Sequence, residues 1–230
     1  NRLREWKIAP QRGIIEDYFG KKIAKNTQVF QLHMVPEDIV SINEVFFKIS
    51  KIINFDEKQQ RKLLKKIKKR RPWETVIVSD NLSWSEFCRL NLFLHDIQGI
   101  KPVVSVARQY AEDGSSSHVI GYVSETSIKD LESSKILRDI NIPGLKTGKN
   151  GLEKKLNEEM IGEPGLQRFE VNAYGKRIKE LKFINGKKGK DIRTTLDQEI
   201  QKFTIELIKD KSASVCVMDI FTGDIVALVS

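Results

Sequence analysis

The amino-acid sequence predicts an α+β fold, because stretches with strand periodicity and stretches with helix periodicity both occur along its 230 residues. Phe30, Leu32 and Met34 alternate with polar neighbours, as in a half-buried strand. Apolar residues of the segment 39–53 instead recur every three or four positions, as on one face of a helix. A chain of this length corresponds to one large domain or two smaller ones.

The first third of the chain changes from extended to helical. Residues 1–35 are predicted to be extended, with the chain turning near Gly20 between two short strands. Pro36 marks the beginning of the first helix. A second helix is expected over 56–71, where Pro72 stops it, and most of its surface positions are Lys or Arg.

The middle of the chain alternates between strands and helices. Ser83 and Glu86 match a capping box, which predicts the start of a helix. Strands are predicted at 75–78, 103–106 and 118–123, a polar loop at 110–117, and a further helix from Ser127.

The segment 148–175 is predicted to be a joint between two bodies, because its backbone must be irregular and rich in glycine. A glycine-bracketed loop at 148–151 leads into a short helix that ends at Gly162. A Pro-Gly turn at 164–165 then precedes a strand that runs to Val171.

The last part of the chain returns to strands. A strand near 178–184 precedes Asn-Gly at 185–186, which favours a hairpin turn. Thr195 and the residues after it can cap a helix, and two apolar strands follow at 215–220 and 225–229.

Composition excludes several classes of function. The net charge of +9 suits an anionic membrane surface or polymer without selecting either. Cys88 and Cys216 are too few and too distant for a disulfide framework, and both are expected to be small buried residues. His33, His95 and His118 have no second ligand one helical turn away, so we expect no metal site and no cofactor.

Two short strings imitate an active site. Residues 79–81, Ser-Asp-Asn, and residues 146–148, Lys-Thr-Gly, match triplets of serine β-lactamases and penicillin-binding enzymes, in the same order. Those enzymes also need a serine followed three residues later by lysine, and no serine of this sequence has that neighbour. The Lys-Thr-Gly triplet is also expected in a loop rather than on a strand. The sequence therefore disfavours catalysis by these triplets.

The basic helix at 58–71 has two interpretations. It could be a nucleic-acid patch, since Lys and Arg dominate its surface. Its aromatic residues are not interleaved for base stacking, however, and no nucleic-acid-binding motif accompanies it. A solvated charged face is the favoured interpretation.

Several strings together resemble the N-terminal, extracytoplasmic region of a class B penicillin-binding protein of the rod-elongation type. They follow the family order over nearly the whole chain, and the forms at 148–149 and 171–172 are similar to the elongation rather than the division type. One departure is the segment 108–114, which lacks a proline and one aromatic that the family carries. The matching residues are Arg12 to Ile15 with Asp17 and Gly20, Ile23-Ala24, His118 to Val123, Gly148-Lys149, Gly151 to Glu153, Gly162 with Gly165, Val171-Asn172 with Gly175, Asp191, Thr195 to Asp197 with Gln201, Met218-Asp219 and Thr222-Gly223.

The resemblance implies an elongated, β-rich stalk, or pedestal, with an inserted head that contains helices. Segments 1–35 and 143–195, although distant in sequence, are expected to pair in the stalk. The head is expected at 36–142, and 196–230 is expected to be the first helix and β-hairpin of a transpeptidase domain.

The resemblance also implies a function for the parent protein. Members of the family are peptidoglycan D,D-transpeptidases, anchored at the periplasmic face of the bacterial inner membrane, which cross-link the cell wall during elongation and maintain cell shape. The catalytic serine is expected after Ser230, so this region is expected to be non-catalytic and to meet peptidoglycan and β-lactams only through the missing domain. The implied partners are a SEDS-type glycosyltransferase, periplasmic elongation scaffold proteins and a second copy of the chain, but no nucleic acid. A free-standing serine penicillin-interacting enzyme and a basic nucleic-acid-binding module stay open as alternatives.

The candidate site residues are structural rather than catalytic. We expect the segments at 12–13 and 148–151 to act as a hinge, so that a bulky residue at Gly148 or Gly151 weakens partner activation more than folding. The alternative is that these glycines only permit tight turns. The full candidate set is Arg12, Gly13, Asp17, Gly20, Gly148, Gly151, Glu153, Gly162, Gly165, Asn172 and Gly175.

Overall fold

A computed structural model gives the structure of the protein and describes residues 3–68, 72, 75–93, 97–111, 114–140, 142, 144–171 and 177–230. The strands are β1 (Leu3–Ile8), β2 (Ile15–Glu16), β3 (Lys22–Met34), β4 (Val76–Leu82), β5 (Ile100–Tyr110), β6 (Val123–Glu125), β7 (Lys146–Gly148), β8 (Gly165–Val171), β9 (Arg177–Ile184), β10 (Ile192–Arg193), β11 (Val215–Met218) and β12 (Ile225–Val229). The helices are α1 (Ile42–Ser50), α2 (Glu57–Lys68), α3 (Trp84–Leu92), α4 (Ser117–Ile120), α5 (Ile128–Ser133), α6 (Lys135–Ile140), α7 (Gly151–Lys155), α8 (Asn157–Ile161) and α9 (Gln198–Ile208), and a 3₁₀ turn spans Pro36–Asp38. The predicted α+β class is confirmed.

The chain divides into two compact units, one made of residues 1–26 and 108–230 and the other of residues 27–107. The predicted head at 36–142 therefore differs from the compact inserted unit, because 108–142 clusters with the chain's two ends. The division into stalk, head and transpeptidase part stays a prediction, since a functional domain need not coincide with a compact unit.

The first unit is held together by strand pairs that are distant in sequence. Strand β1 pairs antiparallel with β8, which also pairs with β9. Strand β2 lies between β10, to which it is parallel, and the beginning of β3. Its core packs side chains from these strands against the short helices, with Ile15, Ile23, Ala24, Ile120, Met160 and Leu196 buried together.

The second unit packs helices on a sheet. The later part of β3 pairs antiparallel with β4, and β5 also pairs with β3. Helix α1 begins after Ser41, whose side chain accepts from the Glu44 amide, and it turns its apolar face inward. Helix α3 begins with the predicted capping box, in which Ser83 and Glu86 satisfy each other's amides. The core includes Leu32, Met34, Phe46, Ile49, Leu63, Val76 and Leu90.

The predictions at 118–123 and at 185–186 are wrong. The apolar run at 118–123 was predicted as a strand, but its first half lies in α4, where the Ile120 amide bonds back to the Ser116 carbonyl. A run this short does not reveal its period. The Asn-Gly at 185–186 does not turn a hairpin. The strand before it, β9, pairs antiparallel with the preceding strand β8, and Lys187 continues that pairing through a bridge with Glu163.

Candidate functional site

A buried ion cluster lies within the first unit. Arg12 comes from the irregular chain between β1 and β2, and its guanidinium reaches the short helices α7 and α8. Its Nε donates to Glu153 Oε2 at 2.7 Å, and its Nη2 donates to the Glu153 carbonyl at 2.8 Å. Its Nη1 donates to Asn157 Oδ1 at 2.8 Å. Every nitrogen of this guanidinium therefore has a partner in the segment 153–157.

A second arginine binds the same carboxylate. Arg108, near the end of β5, donates from Nε to Glu153 Oε1 at 2.8 Å. Its Nη1 donates to the Gly13 carbonyl at 2.7 Å and to Asn26 Oδ1 at 3.0 Å. Glu153 is fully buried, so one carboxylate bridges two guanidinium groups in the interior. We call Arg12, Arg108 and Glu153 the arginine–glutamate centre.

Burial changes the titration of groups in this region. It lowers the pKa of Arg12 from its usual value, while the charge of Glu153 opposes that change. Burial, followed by the negative charge of Glu153, raises the pKa of Tyr110 to about 12. Tyr110 therefore stays a neutral phenol at physiological pH, and its oxygen accepts from the Val123 amide at 2.9 Å.

The arrangement is suited to joining chain segments rather than to chemistry. Both oxygens of Glu153 are engaged by cations, so this carboxylate is not available as a general base. The centre joins three segments to one another: the chain at Arg12 that leads into β2, the end of β5, and the helix α7. Sequence reasoning selected Arg12 and Glu153 through the family resemblance but missed Arg108 and Asn157, which become recognisable only once the segments meet in space.

Two candidate glycines allow backbone segments to approach closely. A Cβ on Gly148 would lie 1.9 Å from the Glu153 carbonyl oxygen, and the Gly148 amide donates to Asn157 Oδ1 at 3.0 Å. Gly151 has a φ of +57°, and a Cβ there would lie 2.4 Å from the Val119 carbonyl oxygen. Backbone cannot yield as a flexible side chain can, so these contacts favour the tight-packing alternative. The hinge role stays a prediction.

The other candidates occupy turns and close approaches. Asp17 is buried, and its Oδ1 accepts from the amides of Phe19 and Lys21, which fixes the turn that contains Gly20. Gly13, Gly162 and Gly165 each lie against backbone atoms of the segment 184–191. Asn172 and Gly175 lie outside the described residues.

The two enzyme-like triplets belong to different compact units. Ser79 lies on β4 in the second compact unit, whereas Lys146 begins β7 in the first. The prediction that Lys-Thr-Gly lies in a loop is wrong, because β7 pairs antiparallel with β6. Across the described parts of the chain, no group of three or more His, Cys, Asp or Glu side chains could hold a metal ion. Within the same ranges, every helix is too short or too polar to cross a membrane.

Comparison with known protein families identifies this architecture. The model of the penicillin-binding protein dimerisation domain matches residues 7–194. The chain belongs to this family. The match includes the arginine–glutamate centre and all the candidate residues, and it confirms the resemblance that the sequence motifs indicated.

The curated relatives of this chain are longer proteins. The chain is 30% identical over 235 residues to the peptidoglycan D,D-transpeptidase MrdA of Escherichia coli K12, covering 100% of this chain and 37% of that protein. It is 26% identical to MrdA of Acinetobacter baumannii, covering 34% of it. The chain thus spans about a third of the length of the curated relatives it matches.

A solved structure shares the fold. The chain matches PBP2 in the complex between Penicillin-Binding Protein (PBP2) and MreC from Helicobacter pylori, with a TM-score of 0.81 and 24% sequence identity. The match covers 99% of this chain and 43% of that chain.

Proposed function

We propose that this chain is the non-catalytic pedestal and partner-docking region of a membrane-anchored peptidoglycan D,D-transpeptidase that cross-links the cell wall during elongation and maintains cell shape. One observation carries the proposal: the whole chain aligns with 37% of a D,D-transpeptidase, yet none of its serines is followed three positions later by lysine. The reactive serine is therefore assigned to another part of the parent protein, which faces the periplasm.

The arginine–glutamate centre gives the pedestal a physical basis. A single buried carboxylate pairs with both guanidinium groups, and any relative shift of its three segments leaves a charge unpaired in the interior. The centre therefore opposes any sliding of α7 relative to the segment at Arg12 that leads into β2. A rigid support can hold a catalytic cleft at a fixed height and orientation above the membrane.

Docking is the second half of the proposal. The solved relative is in complex with MreC, and we assign this chain a partner of the same class, a periplasmic elongation scaffold protein. A SEDS-type glycosyltransferase and a second copy of this chain are further proposed partners, in keeping with the dimerisation-domain family.

Two assays on the purified chain test the proposal. Fluorescent penicillin is expected to leave no covalent adduct, whereas the full parent protein is labelled. Biolayer interferometry with the periplasmic part of MreC from the same organism is expected to show saturable binding. An adduct on this chain would establish the free-standing enzyme instead, and absence of scaffold binding would remove the docking role.

Charge must be separated from docking, because the chain carries a net charge of +9. The variant Lys62→Glu/Lys65→Glu reverses two charges on the exposed face of α2. Binding that disappears in this variant, or in roughly 0.5 M salt, is non-specific attraction and contradicts the proposed docking.

A further inference from the structure

A cavity of about 310 Å³ lies in the first unit, next to α4. Its floor is apolar, formed by Ile23 and Ile120, which are both almost fully buried. Tyr110 and Tyr122 contribute aromatic rings, and Asn150 contributes an amide group. The volume is at the lower end of the roughly 300–1,000 Å³ of ligand sites, which suits a ligand of a single ring.

The cavity contains a buried polar group with no partner. Ser116 lines it and is 4% exposed, and its hydroxyl makes no hydrogen bond within the described part of the chain. A buried hydroxyl without a partner is costly, so such groups are rare unless a ligand or water satisfies them. This hydroxyl is therefore available to hydrogen-bond a ligand or a water molecule in the cavity.

A second hydroxyl is ready to donate. The Tyr110 oxygen accepts from the Val123 amide, and this is its one hydrogen bond to the described residues, so its own hydrogen is left for a ligand. Because the pKa of Tyr110 is raised to about 12, that hydrogen is retained at every physiological pH.

The lining also restricts the charge of the ligand. Among the described residues around the cavity, none is Lys, Arg, Asp or Glu, and His118 is the single titratable side chain besides the tyrosines. Against these described residues, an anionic or cationic ligand would lose its hydration without gaining a counter-charge. The cavity instead suits a neutral ring that carries hydroxyl groups on its edge and C–H groups on its faces. The hydroxyl and amide groups of the lining can hydrogen-bond the edge, while the apolar floor and the exposed aromatic ring at the rim can pack against the faces.

We propose that this cavity binds one neutral pyranose ring of a glycan, with the Ser116 and Tyr110 hydroxyls hydrogen-bonding its edge and Tyr122 packing on its face. The site goes beyond the proposed pedestal and docking role, and its test needs neither penicillin nor a protein partner. The loss of one role therefore leaves the other intact.

The test is a titration of the ¹⁵N-labelled chain, followed by NMR. The probes are chitobiose, whose rings carry acetamido groups, and cellobiose, whose rings carry hydroxyls alone. Saturable shifts of the amides at 116–122 are expected, with a Kd of roughly 1 mM. Binding of both sugars assigns recognition to the ring hydroxyls, and binding of chitobiose alone assigns it to the acetamido group; both results support the site.

Two variants and one control assign the contacts. Ser116→Ala is expected to weaken binding about five-fold, which corresponds to one hydrogen bond. Its melting temperature should not fall, because the hydroxyl has no partner to lose. Tyr122→Ala is expected to weaken binding about ten-fold. The control is Tyr18→Ala, since Tyr18 is 58% exposed against 55% for Tyr122 but does not line the cavity.

Three outcomes would overturn the proposal. The first is the absence of saturable shifts at about 10 mM sugar, ten times the expected Kd. The second is unchanged binding in both Ser116→Ala and Tyr122→Ala, with melting temperatures showing that they are folded. The third is tighter binding of acetate or phosphate than of either sugar, which contradicts a neutral ligand.

Discussion

Replacing Glu153 by glutamine tests the arginine–glutamate centre most directly. The substitution keeps the shape of the side chain but removes its charge, so Arg12 and Arg108 become two buried cations without a counter-ion. The amide oxygen can still accept from one guanidinium. The amide nitrogen, however, carries hydrogens and would face the donors of the other guanidinium.

The size of the effect follows from burial. Glu153 is 0% exposed, and the two arginine side chains are 10% and 3% exposed, so solvent screens these charges little. Breaking a buried ion pair by removing one partner typically costs about 3–5 kcal/mol. We therefore expect Glu153→Gln to lower the free energy of unfolding by that amount. For a chain of this size the melting temperature should fall by roughly 10 °C.

The assay is urea unfolding followed by circular dichroism, supported by thermal melts. Glu159→Gln is the matched control, because it makes the same chemical change at a side chain that is 49% exposed and pairs with Lys190. An exposed pair contributes about 0–1 kcal/mol, so the control should barely change the midpoint. If the two variants lose similar stability, the centre does not hold the unit together and the reasoning is refuted.

Three further predictions concern single groups. Gly148→Ala should lower the melting temperature more than Gly20→Ala. At Gly148 a Cβ meets backbone at 1.9 Å, whereas at Gly20 it meets nothing within 4 Å and only the φ of +84° disfavours alanine. Equal melting with lost partner activation would instead favour the hinge. Burial tends to raise the pKa of Asp130, but its hydrogen bonds, that with Lys149 first, outweigh burial and lower the pKa to about 2. Because the pKa in the unfolded chain is near 4, this carboxylate stabilises the folded chain above about pH 4. At pH 4 and above, Asp130→Asn should accordingly have a free energy of unfolding about 1–2 kcal/mol below that of the native chain, and this difference should disappear as the pH falls from 4 to 2. Acid unfolding of both proteins measures it, and a difference that persists at pH 2 contradicts the assignment. In a spectrophotometric titration one of the four tyrosines should ionise near pH 12, and Tyr110→Phe should remove that step.

Local signals in the sequence predicted local structure well. The capping box of Ser83 and Glu86 is confirmed because both partners lie within one helical turn and need nothing else from the chain. The strand predicted at 118–123 is wrong, because six residues with four apolar side chains fit the period of a strand as well as that of a helix. The backbone hydrogen bond from the Ile120 amide to the Ser116 carbonyl shows that the first half forms a helical turn.

The candidate site was predictable only in part. Family motifs indicated Arg12 and Glu153 as residues, but these two are 141 positions apart and no spacing rule joins them. Arg108 was noticed only within a segment that departs from the family, although its guanidinium completes the centre. Long-range pairs such as these depend on strand pairing, for example that of β5, which carries Arg108, with β3, and periodicity alone does not specify such pairing.

The pairing of β1 with β8 also affects how the protein is made. Strand β1 ends at Ile8, whereas its partner begins at Gly165, so the ribosome must translate the whole inserted unit before the two can meet. At about 5–20 residues per second, the first strand waits roughly 10–30 s with its edge unpaired. Nascent chains of this region are thus exposed to aggregation for that interval, and a chaperone or rapid folding of the inserted unit would reduce the risk.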